Sequence, residues 1–274
     1  MPLSKLQSDI LRLLAANRDP ESYVGGSTPL NWNSPRYSAD IDFFHDREER
    51  IAQAVEQDTA VLQDHGFVLE WLRREPTFYS NLVHRGDETS KLEWVVDSDF
   101  RFFPVVRDDL FGYRLHPVDL ATNKVMAAAG RREPRDVVDL VTIHDQVLPL
   151  GAVVWAAVGK SLGFTPEGLI NEIRRLARYT EADFRRVASE PAFDPAVIMI
   201  RFRIALDEAE AFVLLMPTEK IGLLFLKDGQ VVQPDPDRLD EYNTHAGQKR
   251  GHWPTSLEIS AAMFEYYQKK TPTS

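Results

Sequence analysis

The sequence has no cysteine in its 274 residues, so disulfides and thiolate metal sites are excluded and any bound metal must rest on oxygen or imidazole ligands. It has no apolar run of the roughly 18 residues that a membrane-spanning helix needs. Its first stretch, Met1 to Asn17, interleaves polar with apolar residues and lacks a signal-peptide core. The default expectation is a cytoplasmic protein with no membrane partner. Positive charge is also in short supply: 32 basic residues face 42 acidic ones, for a formal net charge of −10. That balance argues against broad adhesion to nucleic acid or anionic membrane but leaves room for a local basic groove. Paired arginines at Arg73-Arg74, Arg131-Arg132, Arg174-Arg175 and Arg185-Arg186 would build one if they converged, and are otherwise solvated faces. No P-loop or G-x-S-x-G occurs, no RNP aromatic motif, no internal repeat, and neither His116 nor His144-Asp145 has zinc spacing.

What is present suits a packed core, since 43% of the residues are hydrophobic. Leu6, Ile10, Leu13 and Leu14 recur at helical spacing within Ser4 to Asn17. Tyr23-Val24-Gly25-Gly26-Ser27-Thr28-Pro29-Leu30 reads as a strand, a tight turn and a helix start, with Pro29 at a first helical position. Ala39 to Phe44 is a second strand. A helix carrying Ile51, Ala54, Val55 and Leu62 follows and stops at Gly66. Three β-rich runs come next, Phe67–Leu72, Phe78–His84 and Lys91–Val96. From Val118 the pattern turns helical, through Val118–Ala129, Arg135–Val147, Val153–Leu162, Pro166–Arg178, Glu181–Ala188 and Ala196–Leu214. A hairpin over Ile221–Val232 and a polar loop over Gln233–Pro254 close the chain. The expected fold class is α/β (α+β): a small mixed β-sheet core with flanking helices over residues 1–117, a helical domain over 118–219, and a C-terminal hairpin with a partly irregular tail over 220–274. Trp71, Trp94 and Trp155 are read as core.

The strongest local signal is Asp40-Ile41-Asp42. Side chains alternate along a strand, so the two carboxylates share one face while Ile41 and Phe43 enter the core. Like charges this close are costly unless a cation neutralises them or one takes a proton. Hard oxygen ligands suit Mg²⁺ or Mn²⁺, completed by substrate phosphates. Two-metal phosphoryl chemistry, with ions about 3.5–4 Å apart, needs such a pair. Alone, a D-x-D is as readily a solvent-facing edge. Joined to Gly25-Gly26-Ser27, whose backbone could approach a triphosphate and whose hydroxyl could bond a phosphate oxygen, it points to a nucleotide site.

Gly25-Gly26-Ser27 with Arg36-Tyr37-Ser38-Ala39-Asp40-Ile41-Asp42-Phe43 resembles the signature of the AbiEii/AbiGii-type nucleotidyltransferases of the DNA polymerase β-like superfamily, which include abortive-infection toxins. Asp119 to Lys124, then Arg131 to Leu140 with Arg135-Asp136-Val137-Val138-Asp139-Leu140, is similar to that family's lysine helix and its R-D-x-x-D-L element. The matching blocks span about Tyr23 to Leu140, roughly half of the chain. The resemblance implies transfer of a nucleoside monophosphate from a nucleoside triphosphate to an acceptor hydroxyl, the 3′ end of a tRNA in a toxin opposed by a separately encoded antitoxin.

It also implies a third metal carboxylate on a later strand. Glu93 has the right parity beside Leu92 and Trp94; Asp97 shares it, but about 13 Å of strand keeps the two from one metal. By resemblance Lys124 meets the phosphates, against a plain reading as a snorkelling lysine. Asp139 and Arg135 become candidate active-site residues, against a plain i,i+4 ion pair. Arg36 and Ser38 either bind phosphate or brace the loop. The expected catalytic set is thus Asp40, Asp42, Glu93, Lys124 and Asp139, and the nucleotide-binding set Gly25, Gly26, Ser27, Arg36, Ser38, Lys124 and Arg135. A small hydroxylated acceptor, which the acidic composition favours, and a degenerate nucleotide-binding or protein-interaction module without turnover are the alternatives.

Overall fold

The structure, a computed structural model, describes residues 3–32, 34–161 and 163–254. The helix end read at Leu162 and the tail over 255–274 lie outside the described residues. Ser4 opens helix α1 (Lys5–Leu14) with a reciprocal cap: its hydroxyl accepts from the Gln7 N–H, and the Gln7 side chain accepts from the Ser4 N–H. Strand β1 (Ser22–Val24), strand β2 (Asp40–His45), helix α2 (Glu48–Asp64) and the antiparallel run β3 (Val68–Glu75), β4 (Phe78–Arg85) and β5 (Glu88–Val96) follow. Gly66 takes φ +80° just beyond α2, as a helix-ending glycine does. Short strands β6 (Phe100–Arg101), β7 (Val106–Asp108) and β8 (Gly112–Arg114) complete this part.

Seven strands form one mixed sheet in the order β3-β4-β5-β2-β1-β8-β7. β2 runs parallel to β5 on one side and antiparallel to β1 on the other. Helices α1 and α2 cover one face, where Leu6, Ile10, Ile41, Phe43, Leu92 and Trp94 share a core. The mixed sheet with flanking helices is the fold class that the alternation patterns indicated.

The second half supplies helices α3 (Pro117–Gly130), α4 (Pro134–Gln146), α5 (Leu150–Ala157), α6 (Pro166–Leu176), α7 (Glu181–Phe184) and α8 (Pro195–Leu215). Strands β9 (Leu223–Lys227), β10 (Gln230–Val232), β11 (Asn243–Ala246) and β12 (Gln248–Lys249) end the described chain. α5 lies at the centre, apolar on every side, and the helices share a core with Leu224, Phe225 and Leu226 of β9. Among the described residues no single helix is long and apolar enough to cross a membrane.

Three kinds of bond set the helices against the sheet. The buried Asp119 carboxylate of α3 accepts from the backbone N–H groups of Phe102 and Phe103 at 2.8 and 3.0 Å. Arg36, in the loop before β2, forks onto Asp139 of α4. Backbone bonds join the same loop to the segment after α7, from Tyr37 N–H to Ala188 C=O and from Glu190 N–H to Pro35 C=O.

Two local expectations are corrected. No helix starts at Pro29: residues 26–32 form turns. The Asn31 N–H makes one helix-like bond to the Ser27 carbonyl at 2.9 Å, shared with the Asn31 amide, and the next bond is the tighter one from Ser34 N–H to the Asn31 carbonyl, so a turn forms without extending into a helix. The stretch 233–254 is not wholly a loop, because β11 pairs with β9 and β12 returns to pair with β6.

Candidate active site

Strand β2 alternates as its sequence requires. Ile41 and Phe43 are 0% exposed on the core face, while Asp40, Asp42 and Phe44 stand half-buried on the other. The parallel register sets Glu93 of β5 directly opposite Asp42. One carboxylate oxygen from each of Asp40, Asp42 and Glu93 lies within 4.8 Å of the others. Asp97 falls past the end of β5, where its N–H donates to the His45 carbonyl, and does not join the cluster. Lys91, two residues before Glu93, forms an ion pair with it.

Negative charge is under-compensated here. Burial first, then the charges of Asp40 and Glu93, push the Asp42 carboxyl up to about 7, while Lys124 and Arg135 pull it down. Asp40 offers Oδ2 to the Arg135 guanidinium at 3.5 Å, but its Oδ1 is buried without a hydrogen-bond partner. Three hard oxygen donors, one of them unsatisfied, fit an octahedral Mg²⁺ or Mn²⁺ ion.

The facing wall is cationic. Lys124 and Asn123 of α3, Arg131 in the α3–α4 turn, and Arg135 of α4 line the same cavity of about 230 Å³ as the three carboxylates, Gly26 and Ser27. Lys124 Nζ sits 2.8 Å from Asp139 Oδ2 and 3.6 Å from Asp136 Oδ1. Arg131 reaches Asp136 at 2.8 Å. The i,i+4 pair between Arg135 and Asp139, the plain alternative, does not form: Arg135 points to Asp40 and Glu133, and Asp139 is taken by Arg36 and Lys124.

Asp139 belongs to a closed knot. Its Oδ1 accepts from Arg36 Nε at 2.7 Å and from the Asn31 amide at 3.0 Å, and its Oδ2 accepts from Arg36 Nη2 at 3.0 Å. Burial alone would raise this carboxyl, but Lys124 and Arg36 hold it well below the usual carboxylate range. Arg36 is fully engaged, since its Nη1 also donates to the Tyr37 carbonyl at 2.9 Å. Ser38 Oγ donates to the Asp40 carbonyl at 3.0 Å, receives the Thr28 hydroxyl at 3.0 Å and shares a bond with Ser27 Oγ at 2.9 Å. Both side chains are bonded within the loop and its neighbours, and neither lines the cavity.

The glycine turn has a steric purpose that the sequence did not disclose. Gly26 takes φ +64°, and a Cβ there would lie 1.8 Å from Asp42 Oδ2. A Cβ on Gly25 would meet the Phe44 ring at 2.5 Å. The Gly25 N–H is committed to the Asp42 carbonyl at 2.9 Å, so it is not a phosphate donor. The two glycines let β2 bring Asp42 and Phe44 against the turn.

Sequence reading passed over Asn31, Asn123, Phe44 and the pairing of Asp136 with Lys124. Phe44 shares the strand parity of Asp40 and Asp42 and was legible from it; the others depend on which elements meet, which no spacing marks. The arginine pairs do not converge as a group: Arg174 pairs with Asp207 and Glu210, Arg175 with Glu172, and Arg73 with Glu75.

No family model matches the chain, and no curated protein matches it. Among solved structures, the nucleotidyltransferase toxin MenT4 from Mycobacterium tuberculosis is similar at TM-score 0.51 and 15% identity, over 78% of this chain and 84% of that one. Two structures of the Cid1 poly(U) polymerase align at TM-scores of 0.30 and 0.29 with 11% and 10% identity, over 97% and 98% of this chain and 85% and 87% of theirs. Overlap that loose carries no argument. The likeness to MenT4 establishes the fold: this chain has a nucleotidyltransferase fold, with three carboxylates gathered on two of its central strands.

Proposed function

We propose that the protein is a Mg²⁺- or Mn²⁺-dependent nucleotidyltransferase that moves a nucleoside monophosphate from a nucleoside triphosphate to an acceptor hydroxyl. The observation that carries this reading is one cavity with Asp40, Asp42 and Glu93 on one wall and Lys124, Arg131 and Arg135 on the other. A single acidic or basic wall would suit a cation or an anion alone; facing walls suit a metal–polyphosphate.

Asp40, Asp42 and Glu93 would hold the divalent ion, which when bound neutralises triphosphate charge and polarises the α-phosphoryl group. Lys124, Arg131 and Arg135 offset the charge on the β and γ phosphates. Ser27 and Gly26 border the same space. Glu93, at the edge of the cluster, orients the acceptor hydroxyl and receives its proton. The acceptor oxygen bonds to the α-phosphorus as the α–β bridging bond breaks, and pyrophosphate leaves with the electron pair. Alignment and fixed charge supply the acceleration, with no covalent enzyme intermediate.

The 3′ end of a tRNA is the acceptor favoured by the sequence resemblance, and the description of MenT4 as a nucleotidyltransferase toxin supports the toxin part of that reading. A separately encoded antitoxin would then be the protein partner, and the cytoplasm the place of action. The net charge of −10 favours a small hydroxylated acceptor as the second reading. Incubation with each labelled triphosphate and total cellular RNA, read on a gel alongside pyrophosphate release, tests both. Labelled tRNA is the expected result; label on a small product alone selects the second reading, and no metal-dependent pyrophosphate release with any acceptor removes the proposal.

A further inference from the structure

A second cleft, of about 540 Å³, lies between the C-terminal end of α6 with the turn after it and the middle of α8. Phe202, Met199 and Tyr179 supply an apolar floor, and three cations, Arg174, Arg178 and Arg203, outnumber the one acid, Asp207, in its lining. Arg174 is neutralised by Asp207 and Glu210, each at 2.7 Å. Arg178 and Arg203 differ: both are exposed, and neither forms an ion pair among the described residues. Two unpaired guanidiniums lining one cleft need explaining in a chain of net charge −10.

The cleft is tied to the cavity of the carboxylates. Arg132 donates to the Arg178 carbonyl at 2.6 Å and lies over the Tyr179 ring at 5.3 Å. Its chain neighbour Arg131 lines the carboxylate cavity. Adjacent Cα atoms are about 3.8 Å apart, so the rim of one space begins one residue from the wall of the other. Arg132 also forms no ion pair among the described residues. A track of unpaired guanidiniums thus runs from the carboxylate cavity past a tyrosine into the cleft.

We infer that this cleft binds the phosphodiester backbone of a single-stranded RNA acceptor and delivers its 3′ end to the carboxylates. Planar guanidinium forks match phosphate oxygens, and the ring floor accepts a base irrespective of its identity. An acidic peptide would also meet the charge, but it has no hydroxyl terminus to present at the adjoining cavity. The inference rests on the transfer reading above for its purpose, though not for its binding site.

The test is fluorescence anisotropy with a labelled single-stranded RNA of about ten nucleotides, without triphosphate, between about 50 and 200 mM salt. The wild type binds, and affinity falls steeply with salt. Replacing Arg178→Gln and Arg203→Gln together weakens binding roughly tenfold or more and lowers the slope of log affinity against log salt by about 1.4, the share of two single-strand phosphates. Arg178→Lys with Arg203→Lys restores much of the loss, which excludes misfolding as its cause. Binding of a labelled triphosphate with Mg²⁺ is unchanged in the arginine variants. An Asp42→Asn protein that cannot transfer, yet binds the RNA and loses it with the arginines, upholds the cleft even if the transfer reading fails. Transfer to RNA with unaltered KM in the glutamine variant overturns the cleft and leaves transfer standing. A wild type that does not bind the RNA at low salt, or releases it to polyglutamate as readily as to unlabelled RNA, overturns the inference too.

Discussion

Asp42 and Asp139 are the same side chain in opposite electrostatic settings, and Lys124 acts on both. Around Asp139, two cations and the Asn31 amide meet one carboxylate that is 0% exposed, and its proton affinity drops. Around Asp42, burial first and then two further carboxylates outweigh the nearby cations, and its carboxyl is pushed up to about 7. A satisfied buried ion pair holds structure; a crowd of like charges at a cavity has a shortfall that a cation or a proton fills. The fold fastens its walls together with Arg36 and Asp139 and leaves Asp40, Asp42 and Glu93 short of positive charge.

The largest effect should come from Asp42→Asn. Loss of on the order of 10⁴-fold in Mg²⁺-dependent pyrophosphate release, about 5.5 kcal/mol, is expected if the cluster performs the chemistry. The metal-free melting temperature should not fall, because one like charge has gone. Mg²⁺ should stabilise the wild type against heat and the variant much less. Full turnover in the variant would erase the distinction between the two aspartates.

Asp139→Ala should show the reverse pattern. It leaves Arg36, itself 2% exposed, without its carboxylate, and about 3–5 kcal/mol of stability should be lost in urea denaturation. Asp139→Asn should cost less, since an amide oxygen still accepts from the Arg36 fork. If the alanine variant melts like the wild type but cannot transfer, Asp139 belongs with the chemistry and the comparison is wrong.

Why one aspartate reads from sequence and the other only half does follows from the range of the signals. Asp40, Ile41 and Asp42 sit on one strand, so a period of two fixes which side chains share a face before any tertiary contact is known. Glu93 needed only one more step, the alternation against Leu92 and Trp94, and the β2–β5 register supplied the rest. Asp139 was flagged through its motif, but its true partners come from a loop and another helix, over 100 residues away in the case of Arg36. Nothing in i,i+4 spacing could reveal that. Strands β6, β7 and β8 escaped for another reason, since two or three residues show no period, and β12 forms only because β6 is there to pair with it.

Two histidines show a third solution, charge avoided altogether. His45 on the core side of β2 and His116 at the start of α3 are both lowered to about 3, by burial first. In His45, Arg18 and Arg50 add to that lowering; in His116, Asp119 opposes it and Arg114 and His245 add to it. His116 Nδ1 accepts the Val118 N–H, a role that needs the neutral ring. The unfolded chain binds these protons below about 6.5, the folded chain only below about 3, so stability is complete above 6.5 and declines as pH falls through that window. At pH 5 each histidine should cost about 2 kcal/mol. Asp42 acts in the opposite sense between about 7 and its unfolded value, so the test is a difference: His45→Leu against the wild type at pH 7.5 and 5, by urea denaturation. The gap should shift in the variant's favour by about 2 kcal/mol on acidification. An equal gap at both pH values would mean that His45 protonates in place.

The smallest expected effect separates brace from binder in the loop before β2. Ser38 Oγ joins Ser27, Thr28 and the Asp40 carbonyl, and it is 4% exposed. Ser38→Ala strands the buried Ser27 hydroxyl and leaves Thr28 its bond to the Asp40 carbonyl, so about 1–2 kcal/mol of stability should go. Because Ser38 does not line the cavity, KM for the triphosphate should move by no more than about twofold, with any fall in kcat reflecting a looser Asp40. A melting curve and a triphosphate titration decide it. Unchanged melting with a KM raised roughly tenfold would make Ser38 a phosphate ligand and move this loop from the side of Asp139 to the side of Asp42.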